Sequence, residues 1–160
     1  LRNQTGLPAD AVPIYLFVYG VGGLLGTMIA GRLVDLSVLR TLVGSTIATG
    51  ASLTLFAWAA NWAVPAGVVL LLVCISVSAF VLALQLRLME VAGRARTLGA
   101  AGNHAALNVA NALGAWLGGL VLSAGWGWQA PSLVGAGLSA AGLVVLLLSL
   151  RIHRGRTTLD

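Results

Sequence analysis

The sequence predicts an all-α fold, a polytopic membrane helix bundle with five transmembrane helices. Of its 160 residues, 59% are hydrophobic and 8% are charged, whereas soluble domains carry about 25% charged residues. Its charge-free runs are also long compared with the roughly 20 apolar residues that one membrane-spanning helix needs. Three such runs occur, at 11–31, 41–86 and 97–150. They have room for one, two and two spans.

Each predicted span is long enough to cross the hydrocarbon core as a helix. At about 1.5 Å per residue, 20 residues cover roughly 30 Å. A backbone in lipid must satisfy its own hydrogen bonds, which makes runs of this length helical. The predicted spans are 11–31, 41–60, 65–86, 98–122 and 131–150, followed by a polar tail at 151–160.

Two hairpins divide the longer runs. They are the segments WAANWAVP (58–65) and SAGWGWQAP (123–131), and both end in a proline, which suits the first turn of the next helix. They also hold four of the five tryptophans, as expected for aromatic side chains at a membrane interface.

The arginines predict the orientation. Eight of the nine fall in segments 32–40, 87–96 and 151–160, and five spans place these segments on one side, which the positive-inside rule makes cytoplasmic. We therefore expect a multi-pass protein of the bacterial cell (inner) membrane, with its N-terminus outside and its C-terminus inside. An outside N-terminus without a signal sequence also predicts further spans before Leu1.

Glycines in two spans are spaced for close helix packing. Gly22 and Gly26 form a GxxxG pair in the first span, and Gly114 and Gly118 form another in the fourth. Such pairs let two helices approach closely. The same contact could also slide during a conformational change, and the spacing leaves both interpretations open.

The segment GRLVDLSVLR (31–40) contains Gly31, Asp35 and Arg40. A single acid among arginines could dock against the N-terminus of a neighbouring helix, where the helix dipole favours a negative charge. The plain alternative is a solvated loop with one acidic residue.

A stripe of polar residues is predicted on the fourth span. His104, Asn108 and Asn111 are spaced i, i+4, i+7 and share one helix face, while Asn103 lies about 100° away. Polar groups at this depth face a protein interior or a water-filled cavity. The stripe is therefore either a substrate-facing surface or a set of interhelical hydrogen bonds.

Catalytic and cofactor chemistry are not predicted. The spans contain no carboxylate, and the chain has no nucleotide-binding glycine loop and no Cys/His cluster for a metal. The arginines do not share one helix face, which argues against nucleic acid as a partner. Cys74, the single cysteine, is expected to pack as a small apolar residue.

At these residues the chain resembles the major facilitator superfamily, and more narrowly its drug:proton antiporter branch with arabinose-efflux-permease-like proteins. GRLVD…R at 31–40 is similar to the cytoplasmic-loop motif, although Val38 and Leu39 replace its usual glycine and first arginine. GNHAALNVANALGAWLGG (102–119) and GWGWQAPSLVGA (125–136) resemble the last two helices. TGLPADAVPIYLFVYGVGGLLG (5–26) resembles the loop after helix seven and the start of helix eight.

The resemblance implies that residues 1–160 are helices eight to twelve of twelve, part of the C-terminal half of a secondary transporter. The expected activity is proton-driven export of a small organic compound, of the drug or sugar class. The expected partners are the lipid bilayer, the missing N-terminal half, the substrate and protons. Asp35 would dock against a helix end in the other half and stabilise one access state. The polar stripe would either face the cavity between the halves or seal the interface between them.

Two other classes of protein compete with a transporter fragment. One is a small five-span membrane interaction or structural protein that is complete in itself. The other is an intramembrane enzyme, which the missing acids and activated nucleophiles disfavour.

Overall fold

The computed structural model describes residues 12–156, with side chains to residue 152. This part of the chain consists of helices: α1 (Val12–Ala59), α2 (Ala63–Val91), α3 (Arg96–Ser123) and α4 (Ala130–Arg156), with a short 3-10 turn at Gly93–Ala95. All four helices are long and apolar enough to cross a membrane. The all-helical membrane class is confirmed, but four helices stand where five were predicted.

Helix α1 has 48 residues and is interrupted at Ser37. A straight helix of that length would extend about 70 Å, more than twice the hydrocarbon thickness. Ser37 has an extended backbone (φ −172°, ψ 110°). Its Oγ accepts a hydrogen bond from the Arg40 backbone N–H at 3.3 Å, the geometry of a helix N-cap. Ser37 thus separates a first arm (12–36) from a second arm (38–59).

The two arms run in opposite directions. The Tyr15 hydroxyl donates a hydrogen bond to the Ala63 carbonyl at 2.7 Å, which a straight 48-residue helix would place far apart. Further along, Gly26 lies against Ile75 and Ser78, so the first arm runs parallel to α2. The second arm meets α2 through the tight turn at 60–62 and therefore runs antiparallel to it.

The segment predicted as a loop at 32–40 is helical except at Ser37. The prediction that the chain reverses direction within 32–40 is correct, but the reversal takes place at one residue, Ser37, and not through a loop. Two other helices are also longer than predicted. Helix α2 continues beyond the predicted end at 86 to Val91, and α4 continues beyond 150 to Arg156. Residues 1–11 and 157–160, which include parts of the predicted outer segment and tail, lie outside the described residues.

The packed core lies along α2 and is built from small side chains. The buried residues of this helix are Ala66, Val69, Cys74, Ser76, Ala79 and Ala83. Small residues let helix backbones approach in a membrane, where lipid supplies no hydrophobic drive for helix association. A Cβ at Gly22 would lie 2.7 Å from Cys74 Cβ, and one at Gly26 would lie 2.8 Å from Ile75 Cα. These two glycines therefore allow the first arm to seat on α2.

Helix α4 packs on the other side, against the second arm. Ser139 Oγ donates to the Thr46 carbonyl at 2.9 Å, and a Cβ at Gly135 would lie 3.2 Å from the Leu53 side chain. The hairpin before α4 turns through Gly125 and Gly127, whose φ values of 78° and 85° favour glycine. Pro131 is the second residue of α4, in the first turn as predicted.

Because successive helices run in alternating directions, the tryptophans lie at one end of the bundle and the arginine-bearing segments at the other. The turns at 60–62 and 124–129 share one end, where Gln129 Nε2 lies 3.5 Å from Asn61 Oδ1. This end carries the exposed tryptophans Trp58, Trp62, Trp126 and Trp128. Ser37, the turn at 92–95 and the C-terminal end of α4 lie at the opposite end, which is the arginine-rich end.

Candidate functional site

Helix α3 is the least covered helix of the bundle. Its single buried residue is Asn103, whereas α2, of similar length, has six. It contacts α2 near its start, where a Cβ at Gly99 would lie 3.0 Å from Ala92 Cβ and 3.1 Å from the Leu88 carbonyl. It contacts α4 near its end, where Gly118 faces Pro131 at 3.9 Å. Most of its circumference has no neighbour in the described part of the chain.

The three residues of the predicted stripe lie together on the uncovered surface of α3. His104, Asn108 and Asn111 are all exposed, and their i, i+4, i+7 spacing places them on one face. Within residues 12–152, the side-chain hydrogen bonds between helices and their connecting turns involve other residues. We refer to these three residues as the polar face.

Asn103, which we placed off the stripe, is the polar side chain that α3 buries. It is 1% exposed, and neither Oδ1 nor Nδ2 has a hydrogen-bond partner in the described structure. An unpaired buried amide costs about 1–3 kcal/mol. Its position follows from Gly99, one helical turn earlier, which makes the contact with α2. The sequence signal was this i, i+4 relation to a packing glycine rather than the polar pattern.

The glycines of α3 behave differently from those of the first arm. A Cβ at Gly114 would meet nothing within 4 Å, and one at Gly118 would meet Pro131 at 3.9 Å. Gly114 lies one helical turn before Gly118 and on the same side of α3, but it is exposed at its own level of the helix. The close approach that the spacing predicts at Gly114 is therefore absent from this part of the chain.

Gly31, Asp35 and Arg40 surround the Ser37 break. Gly31 is half-buried, and a Cβ there would meet nothing within 4 Å, so no close packing requires this glycine within the described residues. Asp35 and Arg40 are exposed. The ion pair found in the described part of the chain is a different one, Arg87 with Glu90 at 3.2 Å. The Asp35 carboxylate is therefore available at the arginine-rich end.

Metal chemistry finds no support in the described residues, where no group of three or more His, Cys, Asp or Glu side chains could hold an ion. The arrangement instead offers hydrogen-bonding groups on an uncovered helix face. Such groups can bind polar parts of a small molecule or hydrate a passage between helices.

The sequence matches the family model described as Major Facilitator Superfamily over residues 1–159. The chain belongs to this superfamily. The superfamily resemblance is confirmed, and with it the assignment to transporters rather than enzymes.

Individual superfamily members match over most of the chain. The uncharacterized MFS-type transporter YfhI of Bacillus subtilis (strain 168) is 31% identical over 147 residues, 91% of this chain and 36% of its own length. The inner membrane transport protein YdhP of Escherichia coli (strain K12) is 32% identical over 151 residues, 94% of this chain and 39% of its own length. AraJ of the same strain is 28% identical over 151 residues.

No solved structure gives a significant match to this chain. The chain spans less than two fifths of the length of the curated relatives YfhI and YdhP.

Proposed function

We propose that this chain forms helices eight to twelve of a major facilitator superfamily exporter, in its C-terminal half. The proposed cargo is a small organic compound of the drug or sugar class, exported in exchange for protons. The superfamily match over residues 1–159 and the 36–39% share of the relatives' lengths support a partial transporter. Transporters of this superfamily consist of two halves and bind substrate near the midplane between them.

The observation that carries the proposal is the exposed polar face of α3. Three hydrogen-bonding side chains are exposed on a helix that is apolar enough to cross a membrane. Facing lipid, they would leave their polar groups unsatisfied, at a cost that membrane helices avoid. We infer that the polar face lines the passage between the two halves.

The five predicted crossings follow if each arm of α1 crosses once. The arms contain 25 and 22 residues between Val12 and Ala59, apart from Ser37, and either is long enough to span about 30 Å. The positive-inside rule then places the arginine-rich end in the cytoplasm and the tryptophan-rich end outside. By similarity to YdhP, named an inner membrane transport protein, we place the protein in the bacterial inner membrane.

Asp35 has a proposed role in the conformational change. It is exposed near the end of the first arm, which the proposed topology places on the cytoplasmic side, and its carboxylate carries a negative charge. Docking against a helix N-terminus there would stabilise one access state, since helix dipoles favour anions at that end. Gly31 and Arg40 complete the segment that would carry this contact.

Transport by the full-length protein tests the proposal. Asn111→Leu keeps the side chain close to its original size but removes its hydrogen-bonding groups. We expect export of a substrate compound to fall about tenfold or more, while the thermal stability of the purified protein changes little. Val109→Leu, an exposed position on the other side of α3, is the matched control and should export normally. Equal export by both variants would contradict a role for the polar face.

The reading frame upstream of Leu1 separates this proposal from a small five-span membrane protein. A partial transporter predicts a continuous frame that encodes about seven further spans, given the two six-helix halves of such proteins. A start codon directly before Leu1 with a stop codon upstream would instead support the small protein.

A further inference from the structure

A groove lies at the arginine-rich end, between the two arms of α1 and α2. It has a volume of about 470 Å³, within the roughly 300–1,000 Å³ range of ligand sites. Its walls include Ile29 and Leu33 from the first arm and Ile75 and Ala79 from α2. Neither the polar face of α3 nor Asp35 belongs to this groove, so it is a separate surface.

Three of the four hydroxyl groups in the groove donate to backbone carbonyls nearby, and the fourth, Ser37 Oγ, accepts a backbone N–H. Thr41 Oγ1 donates to the Ser37 carbonyl at 2.9 Å, Ser45 Oγ to the Leu42 carbonyl at 3.1 Å, and Ser76 Oγ to the Leu72 carbonyl at 2.8 Å. Their donor protons are thus directed into their own helices. The walls therefore offer an occupant mainly apolar contact.

Arg40 is the charged residue among those that line the groove. It lies in the first turn of the second arm, directly after the Ser37 break, and its side chain is exposed. Arg32, also exposed, lies on the last turns of the first arm. Asp35 lies between them in sequence, and its carboxylate would repel an anionic ligand, but it does not line the groove. Arg32 does not line the groove either, so Arg40 supplies the charge in its wall.

The length of the groove matches one leaflet of a bilayer. Its lining along the second arm runs from Ser37 to Ala48, about 16 Å at the rise of an α-helix. This is about half of the 30 Å hydrocarbon thickness. The groove thus begins with a cation at the headgroup level and continues as an apolar channel to the depth that one acyl chain reaches.

From this combination we propose that the groove binds an anionic phospholipid of the cytoplasmic leaflet. The phosphate pairs with Arg40, and one acyl chain lies along Ile29, Leu33 and Ile75. Basic sites between membrane helices on the cytoplasmic side are suited to anionic headgroups, because that leaflet is negatively charged. The inference rests on the proposed topology, but it requires neither proton coupling nor export.

Native mass spectrometry of the intact transporter tests the site. The protein is titrated with phosphatidylglycerol or with phosphatidylcholine carrying the same acyl chains. We expect wild type to prefer phosphatidylglycerol, and Arg40→Gln to weaken that preference about fivefold, since one basic residue near an anionic surface contributes about 1 kcal/mol. Arg94→Gln, an exposed arginine at the same end outside the groove, should behave as wild type. Equal effects of the two variants would overturn the proposal.

A groove-filling variant tests the acyl-chain part separately. Gly44 lines the groove, and a Cβ there would meet nothing within 4 Å. Gly44→Leu should lower the binding of both lipids, whereas Gly20→Leu, equally free of neighbours, should not. A benzophenone residue at Ala48 should capture lipid on illumination. Its capture of another segment of the transporter would show that protein fills the groove and would contradict the proposal.

Discussion

Helices α2 and α3 have nearly the same length, 29 and 28 residues, and differ in what surrounds them. Helix α2 contacts both the first arm and α3, and it buries six residues, all of them small or apolar. Helix α3 buries one, an asparagine, and exposes its other polar side chains. The difference teaches that α2 holds the described part of the protein together, whereas most of the surface of α3 is uncovered there.

Glycines show the same contrast at single positions. At Gly26 a Cβ would lie within 2.9 Å of the Ile75 backbone, so the two helices touch through their main chains. At Gly114 a Cβ would meet no atom within 4 Å. Equal spacing in the sequence therefore corresponds to a packed contact in one helix and an uncovered one in the other.

The largest expected effect comes from filling the packed contact. Gly26→Leu should prevent the first arm from seating on α2, because backbone atoms of Ile75 cannot move aside as a side chain can. We expect loss of folded, monodisperse protein in size-exclusion chromatography. Gly114→Leu is the matched control and should remain folded. Similar recovery of both variants would contradict the assigned difference between α2 and α3.

A smaller effect is expected from Asp35→Asn, which keeps the size of the side chain and removes its charge. If Asp35 docks on the other half, export in the full-length protein should fall several-fold while expression and folding remain near normal, since the side chain is exposed. Initial rates of export in inverted membrane vesicles, normalised to protein amount, measure this. Unchanged rates would make Asp35 an ordinary solvated residue and remove the proposed gating contact.

The smallest effect concerns the buried asparagine of α3. Asn103→Leu removes two polar atoms that have no partner in the described structure, and replacing an unpaired buried group by an apolar one of similar shape is neutral or stabilising. We expect the free energy of unfolding to rise by about 1 kcal/mol, measured by thermal denaturation in detergent. If the free energy of unfolding instead falls by that amount, the Asn103 amide is hydrogen-bonded in the full-length protein and stabilises the contact between α3 and α2.

The class of fold was predictable because charge-free runs and lipid leave the backbone few choices. The clustering of arginines and tryptophans at opposite ends also followed from the sequence. The single-residue reversal at Ser37 did not, because a serine N-cap gives a weak signal inside an apolar stretch. In the structure, the reversal is identified by the hydrogen bond from the Arg40 N–H to Ser37 Oγ.

For the candidate site, the sequence predicted the shared face of His104, Asn108 and Asn111, since helical spacing determines it. It did not predict which face of α3 would be covered. That depends on where Gly99 meets α2, a tertiary contact that periodicity alone does not specify. Asn103 is buried for this reason, although it adjoins the stripe in sequence.

Cysteine accessibility in the full-length transporter tests most directly whether the polar face lines a water-filled passage. Single cysteines replace Asn108 and Asn111 in a Cys74→Ala background, with a cysteine at Val109 as the control for the other side of α3. We predict that a membrane-impermeant maleimide labels positions 108 and 111 in at least one access state and leaves position 109 unlabelled. If neither 108 nor 111 is labelled in any access state, the polar face does not line the passage.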